Sequence, residues 1–295
     1  MEVILDALKD TLIVFPFIII IYILIELLEN GTTASKGRKA LQGPLAPLLG
    51  SATGLVPQCG FSVMAARLYD SGLIRTGTIM AVFLATSDEA LIILLVNSPL
   101  SATSAQAILP LLVIKLIIAV GFGYLINAVI PDKKAETLPL QMEGGNATSF
   151  SCGHDHHGKS ASRLYLVEPI MHALKVTAFI LIVNLVLGFI VAEVGEGTIA
   201  KGLIGGDYFQ PFITSAVGLI PNCASSTVIT ETFVKGGITF GSCVAGLCTN
   251  AGLGLVVLLR NTKKIKRNIL LVISLYAISV LSGIVINVIC TAVGI

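Results

Sequence analysis

Charge is scarce in this chain. Of 295 residues, 12% are Asp, Glu, Lys or Arg and 55% are apolar, whereas an average soluble domain carries about 25% charged residues. That balance excludes an ordinary soluble enzyme and points to a polytopic membrane protein. Walker A sequence is absent, so nothing suggests ATP hydrolysis. The six cysteines form no C-x-x-C pair and no zinc-knuckle spacing, which argues against a disulfide framework or a dithiol active site. A basic leader is also missing. The start carries Glu2, Asp6, Lys9 and Asp10, and the run Leu12 to Leu28 lacks a small-residue cleavage site. It is expected to be a retained first span.

What is present is a set of long apolar runs. The first span is expected from Thr11 to Leu28. Leu41 to Tyr69 follows, interrupted by Pro44, Pro47 and Pro57. A membrane crossing needs about 20 residues, and the pieces flanking Pro57 are shorter, so two half-helices are expected there. Full spans are expected over Leu73–Val96 and Ala105–Ile130. In the second part, Glu168–Ala192 is a span, Gly206–Val234 a second broken stretch, and Gly237–Leu259 and Ile269–Ile289 are spans. This divides the chain into residues 1–132, a polar linker 133–165 and residues 166–295.

The two parts are a repeat. Pro211 and Pro47 lie 164 positions apart, and the same offset without gaps pairs Pro57 with Pro221, Cys59 with Cys223, Ser62 with Ser226, Gly77 with Gly241 and Asn97 with Asn261. After a four-residue shortening, Gly123 falls on Gly283 and Asn127 on Asn287. Three full spans plus one broken stretch make an odd count, so the repeats are expected to be inverted, as in many secondary transporters. The expected fold is therefore an all-α polytopic membrane protein. It has two inverted-topology repeats, each with three full spans plus a Pro-broken half-helix pair, ten helical segments in all. Lys and Arg concentrate in cytoplasmic loops. Lys36, Arg38 and Lys39 and the group Arg260, Lys263, Lys264, Lys266 and Arg267 then share the cytoplasmic side, and both termini are expected outside the cytoplasm.

Candidate functional residues gather at the breaks. Pro57-Gln58-Cys59-Gly60-Phe61-Ser62 and Pro221-Asn222-Cys223-Ala224-Ser225-Ser226 both place Pro, a carboxamide and a thiol inside an apolar run. Hydrocarbon offers no water to a broken helix, so such breaks persist only where protein or a wet cavity supplies partners, and matched breaks point to a binding site. Gln58 and Asn222 offer amide groups, Cys59 and Cys223 soft sulfur, and Ser62 and Ser226 hydroxyls. Packing of a small residue is the alternative for the two thiols. Asp88 and Glu89 lie deep in an expected span, where an ionisable group costs about 2.5–3.5 kcal/mol on insertion scales and so marks function by default. A structural ion pair is the other reading. The second repeat has Asn250-Ala251-Gly252-Leu253 at the register of Thr86-Ser87-Asp88-Glu89, so the acidic pair is unique to the first, and Asn250 is a further candidate ligand. Lys115 is the expected partner of Glu89. Arg67 and Glu231 occupy equivalent positions with opposite charge and either pair or reach the interface separately. Cys152, His154, Asp155, His156 and His157 in the linker are an accessory metal site or a solvated linker with chance histidines. Cys243, Cys248 and Cys290 read as buried small hydrophobes.

The segments GPLAPLLGSATGLVPQCGFS, GTIMAVFLATSDEALIILL and GLIPNCASSTVITETF resemble the ten-transmembrane heavy-metal exporter family, also labelled arsenic efflux proteins or manganese transporters. The resemblance covers nearly the whole chain. It implies export of a metal or metalloid ion across a bacterial inner membrane, with no covalent cofactor. By ligand chemistry Asp88, Glu89, Gln58 and Asn222 suit Mn²⁺, and Cys59 and Cys223 suit As(III) or a softer divalent ion. The expected function is a non-enzymatic, proton-coupled secondary transporter, its partners the ion and the lipid bilayer, with no nucleic acid and with a homo-oligomer left open. The rivals are a small-anion transporter using half-helix N-termini and a membrane thiol oxidoreductase using Cys59 and Cys223.

Overall fold

The computed structural model describes residues 43–56, 59–86, 90–97, 102–130, 209–261 and 264–293, with isolated positions between 8 and 19 and between 174 and 189. For Cys59, Ile92, Ile93, Val96, Asn97 and residues 102–107 only the backbone is described. Helices are α1 (Ala46–Gly54), α2 (Cys59–Asp70), α3 (Thr76–Ala85), α4 (Ala90–Asn97), α5 (Ala102–Val129), α6 (Gln210–Gly218), α7 (Cys223–Val234), α8 (Phe240–Thr249), α9 (Leu253–Leu259) and α10 (Ile265–Val293). No strand occurs among the described residues.

The ten-segment plan with three full spans per inverted repeat is overturned. Among the described residues two helices are long and apolar enough to cross a membrane: Ile108–Val129 within α5, and α10. The pair α8–α9, bent by 41°, would make a third. The physical reason lies in the stretches expected as full spans, Leu73–Val96 and Gly237–Leu259, which are each split. α3 ends at Ala85 and α4 begins at Ala90; α8 ends at Thr249 and α9 begins at Leu253. In the second break Gly252 adopts φ +53°, a conformation that costs a residue with a Cβ but not glycine. Its N–H donates to Asn250 Oδ1 at 3.0 Å.

The two long helices carry the lipid-facing signature of a membrane protein. Leu109, Val113, Ile117 and Leu125 on α5, and Ile269, Ile273, Leu281, Val285 and Val288 on α10, are exposed. Lys115 and Asn268 on the same helices are buried. Large apolar side chains outside and polar ones inside invert the arrangement that water imposes.

Packing follows the sequence repeat. In the first half α3 lies between α1 and α5; in the second α8 lies between α6 and α10. The approach is close because glycines face glycines. A Cβ on Gly77 would meet the Gly123 carbonyl and Asn127 Oδ1, and one on Gly241 would meet the Gly283 carbonyl and Asn287 Oδ1. Small residues at such crossings let backbones come together without a hydrophobic driving force. Asn127 Oδ1 accepts from the Gly77 N–H at 2.9 Å and Asn287 Oδ1 from the Gly241 N–H at 3.0 Å. Each asparagine thus satisfies one of the orphan donors in the first turn of its neighbour. Asn287→Leu is expected to strand that donor and lower stability by about 1–3 kcal/mol. A thermal melt of the detergent-solubilised protein matching wild type would show the bond contributes nothing.

The halves also meet beside the turn after α2. Asn261 Nδ2 donates to Asp70 Oδ1 at 3.2 Å, Lys264 Nζ to the Asp70 carbonyl at 3.4 Å, and Arg267 Cζ lies 4.3 Å from the Tyr69 ring centroid. Burial pushes the Asp70 carboxyl above its ordinary value, although the Asn261 hydrogen bond and the charges of Arg67, Lys264 and Arg267 pull it back.

Candidate functional site

The site is built from two helix breaks brought together. At the first, Pro221 precedes Asn222, the N-cap of α7, whose side chain accepts from the Ala224 N–H at 3.2 Å. Asn is a strong N-cap because its oxygen satisfies an otherwise unpaired first-turn donor. Ser225 Oγ contacts the Ile220 carbonyl at 3.0 Å and the Asn222 carbonyl at 2.7 Å. The Ile220 carbonyl also accepts from the Asn222 N–H at 2.8 Å, so the break is held by both backbone and side-chain partners. Pro221, Asn222, Cys223 and Ala224 are half-buried, while Ser225 and Ser226 are buried.

The second break, Asn250-Ala251-Gly252, lies against the first. Asn250 Nδ2 reaches Ser225 Oγ at 3.2 Å, so the amide that sequence offered as a ligand ties the α8 terminus to the α7 terminus. Ser226 Oγ donates to the Cys223 carbonyl at 2.7 Å, within its own first turn. In the first half Ser62 is buried and marks the crossing of α2 with α9: a Cβ on Gly254 would lie 2.7 Å from the Ser62 carbonyl. Ser62 therefore sits at a helix contact.

Lys115 lies where the halves join. Its side chain is fully buried, and Nζ donates to the Thr86 carbonyl, at the C-cap of α3, and to the Leu247 carbonyl, in the last turn of α8, at 2.8 Å. The last carbonyls of a helix lack intrahelical partners. A helix C-terminus also carries the equivalent of about −0.5 charge. Two such ends together attract a single ammonium. The two broken helices thus contribute to offsetting the cost of a buried cation in an apolar bundle. The repeat position of Lys115, at the offset that pairs Gly123 with Gly283, is Leu275; it is also fully buried.

The remaining residues expected from sequence fall in three groups. Gln58, Asp88, Glu89, Cys152, His154, Asp155, His156 and His157, together with the Cys59 side chain, lie outside the described residues, and with Glu89 so does its pairing with Lys115. Glu231 ion-pairs with Lys235 one turn on, at 2.9 Å on the exposed face of α7; Arg67 is half-buried on α2. Cys243 and Cys248 are buried in α8. Among the described residues no three His, Cys, Asp or Glu side chains are grouped to hold a metal ion.

Sequence reasoning missed Ser225, Gly252, Gly254 and the carbonyls of Thr86 and Leu247. Gly252 had a signal, an Asn-x-Gly at the register of Thr86-Ser87-Asp88, which marks a turn. No family model, curated protein or solved structure matches the chain.

Proposed function

We propose that the chain is a secondary transporter of a bacterial inner membrane that exports a metal or metalloid ion, coupled to protons. The observation that carries this reading is the Asn250–Ser225 bond, which joins two interrupted helices inside an otherwise apolar bundle. Interrupted helices at membrane depth are tolerated where they line a polar cavity or a substrate path. Cys223 and Asn222 stand half-buried at that junction and supply a soft sulfur and a carboxamide. Asp88 and Glu89 follow the end of α3 in sequence and supply hard oxygens. Thiolate favours arsenite or a soft divalent ion, carboxylate and amide favour Mn²⁺. The cations Arg260 and Lys264 before α10, and Lys266 and Arg267 in its first turn, support a cytoplasmic position for this end of α10 by the positive-inside rule.

Expression in an exporter-deficient strain is expected to lower accumulation of one member of a panel of Mn²⁺, Zn²⁺, Cd²⁺ and arsenite. For a thiophilic cargo, Cys223→Ser is expected to reduce export about tenfold or more, because hydroxyl replaces the soft ligand. For Mn²⁺ the same variant is expected to stay within about twofold of wild type. If no panel member responds while a small oxyanion does, the cation reading is wrong and the anion rival replaces it.

A further inference from the structure

We propose that Lys115 is the releasable fastening between the two halves, and that its bond to the Leu247 carbonyl is the one broken when the crossing opens. The kinetic part of this proposal rests on the transport reading above. The structural part does not. α5 packs along the length of α3 but meets α8 over a few residues only. Lys115 and Thr86 therefore belong to one packed unit, and Leu247 belongs to the other. Movement of α8 away from α3 and α5 would part the ammonium from Leu247 while it keeps Thr86; the packing of α2 on α9 and of α4 on α7 also joins the halves. The bond is strong because it is charge-assisted and buried. It is also reversible, since the ammonium has three donors on a flexible four-carbon stem and can turn to other acceptors. Two of its bonds go to backbone carbonyls at helix ends, and in this proposal Lys115 is a positioning residue that acts through them.

Purified full-length wild type, Lys115→Met, Lys115→Gln and Lys115→Arg are compared by amide hydrogen exchange and by ion flux in proteoliposomes. Lys115→Met is expected to fold, because Leu275 fills the corresponding buried position of the second half. Exchange around both breaks, residues 83–90 and 246–254, is expected to rise together by about tenfold or more, the worth of one charge-assisted hydrogen bond. The Gly77–Asn127 region is expected to keep its protection. Lys115→Arg, which retains the charge and the donors, is expected to stay near wild type. In flux, Lys115→Met is expected to change kcat about tenfold with KM within about twofold, the signature of a group that acts on the conformational step and not on bound cargo. Loosening of one break alone, or of neither, overturns the fastening. A raised KM with kcat preserved overturns it differently, by making Lys115 a cargo ligand. Should Lys115→Met not fold, the contrast between Lys115→Gln and Lys115→Arg decides by the same exchange criterion. Should wild type move none of the ions, the transport reading fails and the exchange result still decides the fastening.

Discussion

Gly241→Val is expected to remove most of the cooperative thermal transition of the detergent-solubilised protein. Gly241 sits in the first turn of α8, where its N–H is held by Asn287. A Cβ there would fall against Asn287 Oδ1 and the Gly283 carbonyl, and Gly283 in turn has the Ala245 Cβ 2.6 Å from its own Cβ position. None of these is the free end of a long side chain, so α8 and α10 must separate. Overpacking a close-packed interior costs about 1–3 kcal/mol. Losing the capping bond and leaving a buried donor unpaired adds about 1–3 kcal/mol. Together these approach much of the 5–15 kcal/mol that stabilises a typical domain. Gly121→Val on α5 is the control, since nothing lies within 4 Å of its Cβ position. Its melting temperature is expected to stay within a few degrees of wild type, as for ordinary surface substitutions. Equal melting of the two variants would show that the α8–α10 approach is looser than the packing requires.

Asp88→Asn is expected to abolish export, or to lower it about a hundredfold, while the protein remains folded and inserted. Asp88 lies outside the described residues, in a stretch whose apolar sequence makes an ionised carboxylate costly. Asn nearly keeps the volume, and removing an intramembrane charge eases insertion. What disappears is a hard anionic ligand and a titratable group. If Asp88 binds the ion, the variant is expected to bind more weakly. If Asp88 carries the coupled proton, binding survives and the pH dependence of flux disappears. Binding and pH-jump flux measured on one preparation separate the two, with Glu89→Gln as the neighbouring control. Wild-type export with wild-type pH dependence would make the carboxylate structural and leave Cys223 as the leading cargo ligand.

Much of the packing was legible in the sequence, and the reason is residue size. The offset pairing Gly77 with Gly241, and the shifted pairing of Asn127 with Asn287, anticipate the same hydrogen bond in both halves. Glycine and asparagine at fixed positions leave few other solutions for a close helix crossing. The interruptions at Thr86 and Asn250 were not read, because composition over Leu73–Val96 and Gly237–Leu259 is apolar enough for a continuous span. Hydropathy does not register whether the backbone continues through a polar pair of residues. The acceptors of Lys115 escaped for a different reason: they are main-chain carbonyls, which every residue possesses. Sequence pattern ranks side chains only, and the pairing it expected, Glu89 with Lys115, lies outside the described residues. Arg67 and Glu231 show the limit of repeat arithmetic. Equivalent positions with opposite charge suggested either a pair or two residues reaching the interface separately, and Glu231 has a lysine one turn away, at the C-cap of its own helix. A local i,i+4 partner requires no arrangement of distant elements.

The separation of Lys115 from Leu247 along the chain bears on how the protein is made. The two positions are 132 residues apart. At synthesis rates of 5–20 residues per second, the lysine waits roughly 7–26 s for its second carbonyl to leave the ribosome. During that interval the first half holds a cation with the Thr86 end already present and the Leu247 end not yet made. Completion of α8 supplies that second carbonyl, so this bond is among the last contacts that synthesis of the chain makes possible.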